Sequence, residues 1–183
     1  DDAVADYARV LTSLKQTDPN HLVSISCGNS CHSRADLTLV EDLMNLPDVD
    51  YINMNLLPLE WKWTNTSSLY QTLPNVYIKA QEYFDDYLRF SRRINKPLIV
   101  SEISYPRDRN HFEPKSPVDA RNSCFNFVTN KLKQSEDDGN GLSAAFFGIF
   151  IDETEKHVPA AIYASDTQTL SEIALQKEKE KSK

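Results

Sequence analysis

A parallel α/β fold is what the sequence predicts, and three observations predict it. Short apolar runs suited to strands alternate with longer stretches at helical spacing, and Pro, Asn and Asp breakers separate the two. The run Leu98-Ile99-Val100 is aliphatic and mostly β-branched, follows the breaker Asn95-Lys96-Pro97, and reads as a strand covered on both faces. It delivers Glu102 to the carboxyl end of a strand, where the loops of parallel α/β folds carry their chemistry. Two readings of Glu102 follow from position alone: a nucleophile or general acid/base, and a strand-end carboxylate satisfied by an Arg or by backbone amides.

The chain opens with a helix over 1–16, carrying Val4, Tyr7, Ala8, Leu11 and Leu14, which Thr17-Asp18-Pro19-Asn20 stops. A strand is expected over 21–26, a polar loop over 27–33, and a covering helix from Leu37 to Leu46. A second strand spans 49–57 and leads through Pro58 into the aromatic loop Trp61-Lys62-Trp63. The long helix 75–94 repeats Val76, Tyr77, Ala80, Tyr83, Phe84, Tyr87 and Leu88 with a helical period. After the Glu102 strand and a polar loop over 105–115, Ser116-Pro117 starts a helix with Val118, Phe125, Val128 and Leu132 on its buried side. A strand over 142–151 and a helix capped by Ser165-Asp166-Thr167-Gln168 complete the order, and the charged tail 177–183 is expected to fray. One segment over 1–176 with four strand-helix units results. Four parallel strands are too few to close a barrel, so a small doubly wound sheet and half of a larger barrel are the two architectures open.

Composition narrows the partners. The net charge of −7 comes without a basic stripe, which argues against nucleic acid and anionic membrane, and no run of 18 apolar residues offers a bilayer span. A neutral substrate is compatible with that balance. The sequence begins within a helical pattern and without an initiator Met, as expected of a mature, processed or fragmentary chain. Cys27 and Cys31 are close enough to bridge a loop, whereas Cys124 falls at an apolar helical position. A zinc site is the weaker reading, since His32 is the only nearby second ligand type, and neither metal nor cofactor is expected. His21, His32, His111 and His157 show no ligand or dyad spacing. The sequon Asn65-Thr66-Ser67 fits an exported, extracellular protein.

Three segments stand in a telling order: Asp18-Pro19-Asn20-His21-Leu22-Val23, then 49–61 from Val49-Asp50-Tyr51 to Glu60-Trp61, then 96–104 around Glu102. In this order and spacing they resemble the carboxyl-terminal half of the mannanase-like glycoside hydrolases of family 5. The resemblance implies strands five to eight of a (β/α)8 barrel, with Glu102 as nucleophile of a retaining mechanism on a β-linked polysaccharide such as β-mannan. It also implies a partner Glu from an Asn-Glu pair ending the fourth strand. No Asn-Glu dipeptide occurs in this sequence, so the amino-terminal half of the barrel is the expected partner and the isolated chain is expected to be inactive.

Departures from the family pattern are equally specific. Asn55 and Leu57 stand where many mannanases have a His-x-Tyr pair, and Phe147 aligns with a Trp of the eighth strand, as a candidate floor for a sugar ring. Trp61 and Trp63 have two readings, stacking on a sugar or packing against the long helix. Tyr105 either bonds to Glu102 or caps the core. Glu60 either binds a hydroxyl or pairs with Lys62, with solvent exposure favoured. Arg107, Asp108 and Arg109 read as a solvated loop. Beside the hydrolase reading stand a non-catalytic carbohydrate-binding or scaffold protein, which Leu57 and Phe147 favour, and a flavodoxin-like domain. Only four glycines, and none in a phosphate-cradling loop after a strand, weigh against the last.

Overall fold

The computed structural model describes residues 2–26, 37–111, 113–138, 141–155 and 158–174. Helices α1 (Asp2–Thr17) and α2 (Leu37–Met44) precede β1 (Ile52–Leu56), α3 (Leu73–Ile94) and β2 (Leu98–Ile103). A 3-10 turn (Asp108–Asn110), α4 (Asp119–Asp138), β3 (Leu142–Phe147), β4 (Ile149–Phe150), β5 (Ala161–Ile162) and α5 (Thr167–Ala174) follow. The strands β1, β2 and β3 lie side by side in that order, all parallel, and β4 pairs with β5 in a second parallel sheet. Leu98, Val100 and Ile103 of β2 are fully buried in one core with Ile52 and Leu56 of β1, Phe84 of α3 and Phe125 and Val128 of α4.

The long helix shows how local sequence sets an element. Pro74 sits in its first turn, where a missing N–H costs nothing, and an apolar stripe including Val76, Ala80, Phe84 and Tyr87 buries one side. Asn95 ends it in the left-handed conformation at φ 55°, returning its N–H to the Ser91 carbonyl. The Lys96 ammonium then reaches the carbonyls of Met44 and Leu46, 2.7 Å away in both cases, and so closes the carboxyl end of α2.

Three expectations are corrected. The stretch 21–26 forms no strand, so the parallel sheet has three strands among the described residues. Its contact with the sheet is made by side chains: the Asp50 carboxylate accepts the Val23 N–H at 2.6 Å and the Ser24 hydroxyl donates to the Tyr51 carbonyl at 2.6 Å. The Asp50 N–H to Val23 carbonyl bond, 2.8 Å long, joins the backbones. The predicted strand 142–151 is broken at Gly148, which adopts φ 57° and hands the chain from β3 to the second sheet. The supposed solvated loop at 107–109 contains a fully buried Arg107. The cysteines at 27 and 31, His32, His157 and the tail 177–183 lie outside the described residues.

Gly148 is constrained twice, by its positive φ and by a Cβ position only 2.6 Å from Ile162 Cδ1. Gly148→Ala is therefore expected to lower stability by about 2 kcal/mol, read as a fall in the urea midpoint at unchanged slope.

Candidate active site

Glu102 owes its place to a bulge. Met54 pairs with Val100 and Asn55 with Glu102, so Ser101 has no partner on β1. On the other side Val100 pairs with Ala145 and Ile103 with Phe147, leaving Ser101 and Glu102 opposite the single residue Phe146. Strict alternation from Leu98 and Val100 would have turned Glu102 into the core and Ile103 out of it. The extra residue reverses that parity: Ile103 is fully buried and Glu102 is half-buried on the opposite face. The Ser101 hydroxyl is shared between the side-chain oxygens of Asn53 and Asn55, the latter at 2.9 Å, which fixes the polar face of β1 beside it.

At the carboxyl edge of the sheet Glu102 lines a cavity of about 210 Å³. Leu57, Pro106, Ile149, Val158 and Pro159 form its apolar walls, with Ser104 beside Glu102 and the exposed Glu60 also on its lining. The wall segments are fixed from behind. The Arg107 N–H donates to the Pro159 carbonyl at 3.0 Å, and its guanidinium donates to the Ser116 carbonyl at 2.8 Å and to Asp166. Asp166 also accepts from Arg121, 2.9 Å away, and from the Tyr163 N–H at 2.9 Å, while the Arg107 guanidinium lies over the Tyr163 ring. Burial alone would raise the Asp166 carboxyl, but the bonds from Arg107, the Tyr163 amide and Arg121 outweigh it and hold the group below its ordinary value of 3.8.

The aromatic residues singled out from sequence are placed elsewhere. Trp61 and Trp63 are only 7% and 8% exposed, packed edge-on to Tyr83 of α3 with centroids 5.2 and 6.0 Å away, so neither offers a face to a sugar. Tyr105 is fully buried; its hydroxyl donates to the Leu69 carbonyl at 3.0 Å, and burial pushes its phenol up to about 12. It caps the core and does not hold Glu102. Phe147 packs against Phe125 of α4, centroids 5.1 Å apart, on the core side of β3. The aromatic opposite Ser101 and Glu102 is Phe146, 60% exposed. Of the residues named from sequence, Asn55 is brought beside Glu102 in register, and Leu57 shares its cavity.

The profile described as GH family 5 beta-mannosidase-like matches residues 2–166. The chain belongs to glycoside hydrolase family 5. Among solved structures it is similar to the family 5 mannosidase of Rhizomucor miehei, at TM-score 0.79 and 17% identity, over 98% of this chain and 50% of that one. It is also similar to the endo-1,4-β-D-mannanase of Thermotoga petrophila, at TM-score 0.63 and 18% identity, over 95% of this chain and 51% of that one. The endo-1,4-β-mannanase of Rhizomucor miehei gives TM-score 0.67 at 16% identity, over 99% of this chain and 46% of that one. The family 5 chain thus spans about half the length of these solved relatives. No curated protein matches it by sequence.

The buried triad makes two predictions. Asp166→Asn strands two guanidiniums in the core and is expected to cost about 3–5 kcal/mol, measured by chemical unfolding. In the native protein the Asp166 contribution is complete above the ordinary carboxyl value and is lost as pH falls through the lower folded value. Stability is therefore expected to drop steeply below about pH 4, with a shallower acid limb in the Asn variant.

Proposed function

We propose that this chain is the nucleophile-bearing part of a retaining β-mannoside hydrolase, with Glu102 as the nucleophile. The observation that carries the reading is the bulge that turns Glu102 from the core into a cavity at the carboxyl edge of a parallel sheet. A Glu102 carboxylate oxygen bonds to the anomeric carbon as the glycosidic bond breaks, and the leaving oxygen takes a proton from a second carboxyl about 5–5.5 Å away. Water, deprotonated by that second group, then cleaves the glycosyl ester and frees Glu102. Asn55, alongside in register, is assigned to a sugar hydroxyl, and the exposed ring of Phe146 to the sugar's apolar face.

The segment 22–26 and strands β1, β2 and β3 are assigned to the fifth through eighth positions of the barrel. The second carboxyl is assigned to the amino-terminal half, a partner whose fourth strand ends in Asn-Glu. Half-length coverage of the relatives and the exposed Phe146, Ile149 and Phe150 support a half-barrel with an uncovered inner side. A mannoside substrate is supported by the family match and by the mannosyl-fructose bound in a mutant form of the Rhizomucor mannosidase. Export is supported by the exposed Asn65 of the sequon, so passage through a secretory pathway is expected to add an N-glycan there, visible as a mass shift.

A non-catalytic sugar-binding protein is the second reading. Leu57 favours it by presenting methyl groups, not a hydroxyl, to the cavity that holds Glu102.

Joining the chain to an amino-terminal half and assaying a nitrophenyl β-mannoside and β-mannan separates the two. Hydrolysis is expected, falling about 10⁴-fold or more in Glu102→Ala, with azide restoring turnover and giving a glycosyl azide. Binding without turnover in the completed barrel selects the second reading, and turnover indifferent to Glu102→Gln removes the first. The isolated chain is expected to be inactive.

A further inference from the structure

The cavity at the carboxyl edge of the sheet is lined by two carboxylates, Glu102 and Glu60, and only Glu102 has a part in the proposed hydrolysis. Apart from Ser104 the rest of the lining is apolar, and no Lys, Arg or His among the described residues stands on it. Neither carboxylate has a hydrogen bond or an ion pair among the described residues. Glu60 in particular is not paired with Lys62, the exposed cation two positions on.

The turn that carries Glu60 is nonetheless fixed. The N–H groups of Trp61, Lys62 and Trp63 donate to the carbonyls of Leu57, Leu59 and Pro58 at 3.1, 3.1 and 2.9 Å, and Asn75 of α3 donates its side-chain N–H to the Trp63 carbonyl at 2.7 Å. Both indoles are buried, with centroids 4.8 Å apart, while Glu60 and Lys62 remain exposed beside them. Backbone bonds and aromatic packing therefore hold the turn, and the Glu60 carboxylate contributes nothing to it. What the turn does is carry a second free acceptor to the cavity of Glu102.

That pair of charges discriminates among ligands. A sugar hydroxyl donates to a carboxylate in a charge-assisted bond, about twice as strong as a neutral one. The C–H face of the same ring suits the walls at Leu57, Ile149 and Val158. A ring that bears its own carboxylate meets two like charges and no cation, in a cavity whose apolar walls screen them poorly. We infer that Glu60 is a specificity-determining residue of this cavity: it accepts from a hydroxyl of the ring seated against Glu102 and excludes rings that carry a carboxylate. The inference rests on the proposed reading of the cavity as the sugar site and narrows its substrate to neutral glycosides.

Methyl β-mannoside and methyl β-mannuronoside share a ring configuration and differ by a carboxylate at C6, so they isolate the charge. Each is titrated into the intact chain to millimolar concentration at low salt, following the backbone amide resonances of Glu102 and Ser104. Saturable shifts are expected with the mannoside, and binding at least about tenfold weaker with the mannuronoside, a gap that narrows at high salt. Glu60→Gln is expected to weaken the mannoside about tenfold and to bring the two glycosides level, whereas Lys62→Ala, on the same turn but off the lining, changes neither. Absence of saturable shifts, or a ratio unmoved by Glu60→Gln, overturns the inference. Tighter binding of the 2-amino-2-deoxy mannoside, lost in Glu60→Gln, overturns it in favour of a cationic sugar. The titration involves no turnover: a completed barrel that fails to hydrolyse while the Glu60-dependent ratio holds strikes the hydrolase reading alone. A barrel that hydrolyses while the ratio ignores Glu60→Gln strikes this inference alone.

Discussion

Between Val100 and Ile103 the second strand carries one residue more than either neighbour, and the position of Glu102 depends on it. Without the bulge, alternation would send a carboxylate into a core of Leu98, Val100 and Phe84 and expose Ile103. The first change costs several kcal/mol for an unpaired buried charge and the second forfeits about 2–3 kcal/mol of apolar burial. Both terms favour the bulged register, so the same packing that stabilises the sheet presents Glu102 to the cavity. Asn55 and Phe146 flank the bulge, one on each neighbouring strand.

Behind the cavity stands a different device. Arg107, Asp166 and Arg121 are buried together, a cluster in which desolvation offsets much of the Coulombic attraction. Its consequence is geometric: Arg107 ties the segment after β2 to the Pro159 carbonyl, and Arg121 holds the Ala161 carbonyl at 2.6 Å. Two wall segments far apart in sequence thereby keep a fixed spacing. Gly148 performs the related turn at the end of β3, donating its N–H to the Ile103 carbonyl at 2.8 Å.

Legibility in the sequence followed the range of the interactions. The long helix was readable because its apolar period, its early Pro and its closing Asn95 are all local. The stretch 21–26 has strand-like residues but spends the Val23 N–H on the Asp50 side chain, a partner 27 positions away. Arg107 reads as solvated in a polar, Pro-containing loop, because its carboxylate partner stands 59 positions on. Trp61 and Trp63 were ambiguous for a like reason, since their burial is decided by Tyr83 on another element.

By itself the sequence determined the alternation of strands and helices, the strand that carries Glu102, and the order of segments typical of family 5, because each rests on period, breakers and short-range spacing. Tertiary structure decided which way the side chains face. A one-residue bulge inverts the parity of a strand without leaving a mark in composition, so Glu102 emerges while Ile103 is covered. Burial of the aromatic and arginine side chains was settled the same way, by partners that only folding brings within reach.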